Sequence, residues 1–166
     1  MGSILFGKFK IPASHIFVKT ELSFGFVNLR PIVPGHVLIS PRRVVGRLKD
    51  LTEEEYTDLW ATVRTTQNML VKRYGPSASA FNVAVQDGAA SGQSVPHVHV
   101  HILPRSQGDY QTNDHVHNEL QEWAPRKEMT ASQAGKATLD VPEDGDRNDR
   151  TPHQMAEEAA AYGNLL

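Results

Sequence analysis

Apolar and β-branched residues in the first forty positions occur in short runs separated by turn residues. The runs His15–Lys19 and Phe24–Asn28 are joined by a short connection, so they predict a β-hairpin. A third run begins at His36 and predicts a strand that ends at Pro41, because proline cannot donate a hydrogen bond to a neighbouring strand.

The pattern changes to a helical one after Leu51. Thr52 and Glu55 have the spacing of a capping box, in which each residue bonds the backbone of the other. Apolar residues then recur at helical spacing up to Tyr74, and Gly75 followed by proline is a typical helix end. These signals predict one long helix that packs across a sheet.

Two more strands and a second helix follow. Ala80–Gln86 predict a fourth strand, and Pro96–Leu103 predict a fifth strand that ends at Pro104. Asn113–Trp123 predict a shorter helix with its apolar residues on one side. Strands joined by short turns, together with one long helix, are typical of an α+β fold with an antiparallel sheet.

We expect one folded domain over residues 1–123. From 124 to 153 apolar residues become sparse, and prolines, glycines and charged residues dominate, which predicts a polar and disordered insertion. Residues 154–166 are rich in alanine and glutamate and predict a C-terminal helical segment.

Charge and cysteine content exclude several classes of protein. The 166 residues carry 17 basic and 19 acidic side chains, a net charge of −2, which favours neither nucleic acid nor a membrane as a partner. Without cysteine the chain has no disulfide, thiolate nucleophile or cysteine-based zinc site. No apolar run reaches the roughly 20 residues of a membrane span. We expect a soluble protein of the cytoplasm, with the nucleus as a second candidate location.

Candidate chemistry lies at His97, His99 and His101, which alternate with Val98 and Val100 in the predicted fifth strand. Successive side chains of a strand point to opposite faces, so the three imidazoles share one face while the valines share the other. A neutral imidazole can act as a nucleophile, a base or a metal ligand. The row of histidines therefore predicts a functional site.

A metal site and a nucleophile are both compatible with this row. Alternate residues of a strand lie about 6.6 Å apart, so two imidazoles can converge on zinc but three hardly can. The loop Gly92–Val95, just before the histidines, offers backbone, amide and hydroxyl donors suited to phosphate. We expect the middle ring, His99, to be a nucleophile; a protein-bound metal is the second hypothesis.

Several segments resemble one known family. A His-x-His-x-His motif followed by two apolar residues is the signature of the histidine-triad (HIT) superfamily, and this chain carries it at His97–Leu103. The chain resembles the fragile histidine triad (Fhit) branch in particular, over about residues 4–123. The matching segments are Glu21–Leu38, Gln86–Gly88, Gly92–Val95, His101–Arg105 and Gly108–Asp109.

This resemblance implies the HIT fold, a five-stranded antiparallel sheet with one long and one shorter helix, whose sheet continues across the two-fold axis of a homodimer. It also implies a hydrolase that cleaves dinucleoside polyphosphates, typically diadenosine triphosphate to AMP and ADP. A covalent nucleotidyl-histidine intermediate is expected on His99. We expect no tightly bound cofactor and no metal held by the protein, while Mg²⁺ or Mn²⁺ assists by shielding the substrate phosphates.

The same resemblance assigns the site residues. His99 is expected to attack, His97 and His101 to orient the site and contact phosphate, and His36 to support these rings. The expected substrate contacts are Phe9, Asn28, Gln86, Gly92, Gln93, Ser94, Val95 and His101. Candidates for an apolar purine pocket are Leu5, Phe6, Ile11, Phe26 and Leu38.

Two alternatives stay open at this point. A nucleotide-binding signalling module would use the same residues, with the nucleotide complex as its output. A phosphoramidase or adenylylsulfatase of the same superfamily would cleave a different bond with the same histidine.

Overall fold

The computed structural model describes residues 2–123 and 149–166. Its strands are β1 Ser3–Phe6, β2 Phe9–Pro12, β3 Ile16–Lys19, β4 Ser23–Val27, β5 Val37–Pro41, β6 Ala80–Ala84 and β7 Val100–Arg105. Its α-helices are α1 Glu53–Tyr74, α2 His115–Glu122 and α3 Pro152–Gly163. Among these described residues, no helix combines the length and the apolar character needed to cross a membrane.

Five strands form one antiparallel sheet, as the sequence predicts. Their order is β3-β4-β5-β7-β6, and every neighbouring pair is antiparallel. The strands β1 and β2 form a separate hairpin that the sequence analysis did not predict. The α+β class with one long and one shorter helix in the domain is confirmed.

One face of the sheet packs against α1 and α3. Val98, Val100 and Ile102 lie on this face, and each is at most 1% exposed. They belong to a core that also contains Leu59, Val63, Met69, Leu70, Met155, Ala159 and Tyr162. Burying one large apolar side chain stabilises a fold by about 1.5–3 kcal/mol. This apolar layer therefore fixes which side of the histidine segment faces inward and which carries the imidazoles.

The opposite face carries a second, aromatic cluster. Phe6 arrives from the β1–β2 hairpin and Trp123 from the residue after α2, and both pack on the sheet there. The remaining buried members are Phe24, Phe26, Leu38 and Val95. The histidines thus lie beneath two elements that come from opposite ends of the domain.

The histidine strand begins later than predicted. β7 starts at Val100 rather than at residue 96, because the preceding backbone bonds elsewhere. The amide of Val98 donates to the carbonyl of Val45 at 2.7 Å, and its carbonyl accepts from Ser40 Oγ at 2.7 Å. The alternation of side chains persists, so His97 and His99 keep the predicted face without belonging to the strand.

The same strand also continues beyond its predicted end. Pro104 lies inside β7 and pairs with Phe81 of β6. Pairing with β5 ends at Ile102, so Pro104 lies where β7 has a single strand neighbour. A missing backbone donor is tolerated at such an edge position.

The C-terminal helix begins two residues earlier than predicted. α3 starts at Pro152 because Thr151 caps it, and Thr151 and Gln154 each bond the backbone amide of the other. Residues 124–148, which make up most of the predicted insertion, lie outside the described residues. Their disorder, and the domain limits that depend on it, stay predictions.

The capping box of α1 forms as predicted and gives a first test. The Glu55 amide donates to Thr52 Oγ1 at 3.2 Å, and the Thr52 amide donates to Glu55 Oε2 at 2.9 Å. We predict that Thr52→Ala lowers the free energy of unfolding by about 1 kcal/mol, because the Glu55 amide loses its acceptor. Urea denaturation measures this change.

The matched control is Thr57→Ala, at an exposed position within α1. It makes the same chemical change without touching the cap, and we expect a shift within about 0.5 kcal/mol. Equal losses in the two variants would contradict a special role for the cap.

Candidate active site

One ring nitrogen of His99 is hydrogen-bonded, and the other is bare, which here means buried without a hydrogen-bond partner among the described residues. Its Nδ1 lies 2.7 Å from the carbonyl oxygen of His97. A carbonyl oxygen can only accept, so Nδ1 carries the proton and Nε2 of the neutral ring holds the lone pair. Within residues 2–123 and 149–166, this Nε2 is buried and has no hydrogen-bond partner. His99 is therefore in the tautomer that a nitrogen nucleophile needs.

His101 presents the opposite atom, an N–H group. The amide of Ile32 donates to Nδ1 of His36 at 3.1 Å, so the proton of His36 is on its Nε2. That Nε2 lies 2.9 Å from Nδ1 of His101 and donates to it. His101 must then carry its own proton on Nε2, which is also buried without a partner among the described residues. A relay from a backbone amide through His36 thus fixes a bare donor on His101.

His97 has both of its ring nitrogens occupied. The amide of Gly7 donates to Nδ1 at 3.0 Å, and Nε2 donates to the carbonyl of Pro41 at 2.9 Å. The ring ties the β1–β2 turn and the end of β5 to the histidine segment. In this structure no ring nitrogen of His97 is left for the phosphate contact that the resemblance implies.

Burial keeps the three rings of the motif neutral. Loss of solvation lowers the pKa of His99 to about 4, and this ring is 1% exposed. Burial, followed by the neighbouring rings of His36 and His99, lowers the pKa of His101 well below its usual value. Burial also lowers the pKa of His97. Near pH 7 a lone pair on His99 and an N–H on His101 therefore coexist.

The rings do not converge as metal ligands. Across the described ranges, no three histidine, aspartate or glutamate side chains are grouped so that they could hold a metal ion. Of the bare atoms, the lone pair of His99 could coordinate a metal, but the N–H of His101 could not. The arrangement suits an anion that accepts from one ring while the other attacks it.

The indole of Trp123 covers the bare nitrogens. Its ring centre lies 5.7 Å from that of His99 and 4.7 Å, edge on, from that of His101. Phe6 packs edge on against His99 at 5.1 Å. Trp123 Nε1 also donates to Asn28 Oδ1 at 3.3 Å. The two aromatic rings exclude water, which accounts for the lowered pKa values of the histidines.

Phe6 and Trp123 also line a cavity of about 810 Å³, whereas His97, His99 and His101 do not line it. Asn28 and Phe9, both predicted substrate contacts, line it. So do four of the five purine-pocket candidates, Phe6, Ile11, Phe26 and Leu38. Leu5 was also expected there, but it is 47% exposed and does not line the cavity. Side chains of a strand alternate, so β1 turns Phe6 inward and Leu5 outward.

Two predicted phosphate contacts are engaged in the fold, Gln93 through its side-chain hydrogen bonds and Val95 through apolar packing. Gln93 Oε1 accepts from the Gly88 amide at 3.0 Å, and Gln93 Nε2 donates to the Gly46 carbonyl at 2.9 Å. Val95 is 2% exposed and packs in the aromatic cluster. These residues shape the loop before the histidines, while the exposed Ser94 lies at its surface.

Gln86 and Gly92 lie in contact. Gln86 Nε2 donates to the Leu120 carbonyl at 3.2 Å, while its buried Oε1 has no partner in the described part of the chain. A Cβ on Gly92 would approach Gln86 Nε2 to 2.8 Å, and Gly92 has φ +83°. Only glycine satisfies both conditions readily. The local geometry therefore requires glycine at position 92.

Comparison with known proteins decides the family. The HIT domain model matches residues 10–108, more than half of the chain, and includes the histidine motif and His36. The chain belongs to the HIT domain family. The predicted resemblance to this family and its fold are thereby confirmed.

Similar HIT proteins lie in the predicted branch. The bifunctional bis(5'-adenosyl)-triphosphatase/adenylylsulfatase FHIT of Arabidopsis thaliana is 44% identical, with 99% of this chain and 85% of that protein covered. The bis(5'-nucleosyl)-tetraphosphatase (asymmetrical) of Schizosaccharomyces pombe is 44% identical, with 94% and 90% covered. The crystal structure of the Caenorhabditis elegans NitFhit protein matches with a TM-score of 0.73 at 41% identity, over 99% of this chain and 30% of that chain.

Sequence reasoning missed two residues of this HIT site. Trp123 was assigned to the apolar side of a short helix, and its helical spacing does not indicate that the ring would cover the histidines. Arg150 was placed in the polar insertion, yet its side chain bonds the carbonyl of Asn28. No local pattern could have found either contact, because both are made by tertiary packing between segments distant in sequence. Trp123 packs on His101, and Arg150 bonds a residue 122 positions away.

The lowered pKa of His99 predicts an acid-sensitive fold. The folded pKa is about 4 and the unfolded value 6.5, so the unfolded chain binds more protons between these limits. The stabilisation is complete above pH 6.5 and is lost as pH falls towards 4. We predict a loss of about 3 kcal/mol from this ring, measured by urea unfolding from pH 7 to pH 4.

His99→Gln removes this titration and should reduce the loss of stability across the same window by about 3 kcal/mol. The exposed His153 provides the control, since His153→Gln leaves the buried ring unchanged. Identical pH dependence in wild type and His99→Gln would show that burial of His99 does not govern the acid transition.

Proposed function

We propose that this HIT protein hydrolyses dinucleoside polyphosphates and cleaves diadenosine triphosphate to AMP and ADP. The observation that carries the proposal is a pair of buried ring nitrogens without partners among the described residues, a lone pair on His99 and an N–H on His101. Trp123, which packs on both rings, also lines a cavity large enough for a nucleoside. The names of two relatives, a bis(5'-adenosyl)-triphosphatase and a bis(5'-nucleosyl)-tetraphosphatase, support it.

The reaction consists of two displacements at the α-phosphorus. Nε2 of His99 attacks, the bond from phosphorus to the bridging oxygen breaks, and ADP leaves with the bonding electrons. The ring bearing AMP is cationic, and its Nδ1–H bond to the His97 carbonyl stabilises that charge. Water then attacks the same phosphorus, the P–N bond breaks, and AMP leaves while the proton of the water is released.

His101 stabilises the charge that develops on the phosphate. Its Nε2–H is prearranged and desolvated, so donation to a non-bridging oxygen costs little reorganisation. His36 acts through His101 by holding that tautomer. We assign His97 to positioning, since its contacts with Gly7 and Pro41 hold the carbonyl that orients His99.

The nucleoside is proposed to occupy the apolar cavity, with the ribose at Asn28 and the base among the phenylalanine rings. Phosphate contacts are proposed at Gln86, at the exposed Ser94 and along the backbone of the Gly92 loop. Trp123 has to move for a phosphate to reach the buried nitrogens of His99 and His101. Its bond to Asn28 is then replaced by the ribose.

A second candidate activity is cleavage of adenylylsulfate. The Arabidopsis thaliana relative is named for both activities. His99 would attack the same α-phosphorus, and sulfate would leave in place of ADP. The two activities share the nucleophile and the adenosine site, and they differ in the leaving group.

Further features of the proposal concern metal, location and assembly. Mg²⁺ or Mn²⁺ is proposed to arrive with the substrate and shield its phosphates. The cytoplasm, a reducing compartment, is the proposed location and agrees with a chain without cysteine. A homodimer is proposed in which the sheet continues across the two-fold axis.

Removal of the nucleophile tests the activity. We predict that His99→Ala lowers kcat for diadenosine triphosphate by several orders of magnitude, on the order of a millionfold at most, because the covalent route is lost. AMP and ADP are quantified by chromatography, with adenylylsulfate tested in parallel. The exposed His153→Ala serves as the control and should keep wild-type rates. Full activity in His99→Ala would refute the assignment, and wild type inert towards both substrates would refute the function.

The assembly is tested by sedimentation equilibrium. We predict a species of twice the chain mass at micromolar concentration, because paired sheets would bury apolar surface at the subunit boundary. A chain that sediments strictly as a monomer under these conditions would contradict the dimer and leave the proposed chemistry unaffected.

A further inference from the structure

The backbone carbonyl of Asn28 is bonded by a segment from the far end of the chain. Arg150 Nε donates to this carbonyl at 2.9 Å, and Nη2 of the same guanidinium donates to it as well. The Arg150 amide donates to the carbonyl of Leu29 at 3.1 Å. The side-chain bonds join residues 122 positions apart, directly after the end of β4 and at residues that line the cavity.

We propose that Arg150 is a positioning residue for nucleotide binding, which acts by fixing Asn28 in the nucleoside cavity. The inference rests on the proposed function, since it assigns Asn28 to the ribose. Residue 28 follows β4 and no longer takes part in the sheet register, which ends at Val27 paired with Val37. Its backbone is therefore held by Arg150 where the sheet no longer holds it.

The position of the Asn28 side chain depends on that backbone. Oδ1 accepts from the Arg30 amide at 3.2 Å, which forms a tight turn directly after the strand. The side-chain amide lies against the ring of His36, and the residue is 2% exposed. A shift of the backbone at residue 28 would move the amide relative to both the cavity and the His36 relay.

The guanidinium of Arg150 is itself held in place. Its Nη1 pairs with Glu158 Oε2 on α3, and the Arg150 and Glu158 side chains are 20% and 18% exposed. Glu158 Oε1 accepts from the Tyr162 hydroxyl at 2.6 Å, which in turn meets the Tyr74 hydroxyl at 2.7 Å. Burial raises the pKa of Tyr162, so this hydroxyl stays a donor. The contacts anchor Arg150 to α3 and α1.

The same segment forms one wall of the cavity. Asp149, Arg150, Pro152 and Met155 line it together with residues of β2 and β4. Asp149 pairs with Arg30, which lines the cavity as well. The C-terminal segment therefore both lines the cavity and holds the residue proposed to bind ribose. Nucleotide affinity is the property that the loss of Arg150 should change.

The test measures KM and kcat for diadenosine triphosphate and the Kd for AMP by calorimetry. We expect Arg150→Met to raise KM and Kd about tenfold, the size of one charged hydrogen bond, while kcat stays within about threefold because the histidines are untouched. Arg150→Lys keeps the charge but loses the forked geometry and should recover part of the affinity. Glu158→Gln, which leaves Arg150 in place, should give a smaller rise in Kd.

The matched control is Arg105→Met. Arg105 is also buried and paired, with Asp109 at 2.6 Å, but it lies at the far end of β7 and does not line the cavity. The Arg105→Met variant should have a lower Tm but an unchanged Kd for AMP and an unchanged KM. If that variant does not fold, Asp109→Asn weakens the same ion pair more gently. In an Asn28→Ala background, Arg150→Met should change Kd by less than about twofold, because the residue it positions is gone.

Three results in the variants would overturn the inference. These are an unchanged Kd in Arg150→Met, an undiminished effect in the Asn28→Ala background, and an equal rise of Kd in Arg105→Met. A wild-type chain that does not bind AMP overturns it too. If the wild-type chain binds AMP but hydrolyses neither substrate, the proposed function is refuted. The Kd values of the variants for AMP then still test the role of Arg150.

Discussion

The site depends on two buried imidazole rings, each with one nitrogen hydrogen-bonded within the protein and the other without a partner in the part of the chain that the structure describes. The carbonyl of His97 leaves a lone pair on His99, and the relay from Ile32 through His36 leaves an N–H on His101. Because burial keeps both rings neutral, adjacent histidines can do opposite things at one pH. A lone pair and an N–H donor thus arise from the same residue type.

The surrounding elements position these rings and exclude water from them. The apolar layer of α1 and α3 sets the face on which the histidines stand, and the β1–β2 hairpin brings Phe6 over them. His97 ties that hairpin to β5 through two backbone contacts. Trp123 closes the remaining side. Burial of these rings lowers the stability of the fold at acid pH, where the rings would protonate. The exclusion of water also strengthens the interaction of the unpartnered N–H of His101 with an anion.

The fold was largely predictable because its signals are local. The capping box at Thr52, the alternation of histidine and valine, and the turn residues between short strands report periodicity and backbone preference directly. The predicted bounds of β7 were wrong because they depend on contacts between segments distant in sequence. β7 starts after His99 because Val45 and Ser40 take the preceding backbone groups, and it passes through Pro104 because β5 has already ended.

The sequence by itself determined that three imidazoles share one face, which needs only the strand period and the residue types. Its matching segments also carried the resemblance to the Fhit branch, and the donor-rich loop before the histidines predicted phosphate contacts. Tertiary structure decided which nitrogen of each ring is free, that His97 has none free, and that Trp123 and Arg150 reach the site. The reason is physical: a tautomer is set by the partner on the other nitrogen, and those partners lie on segments that meet only in the folded chain.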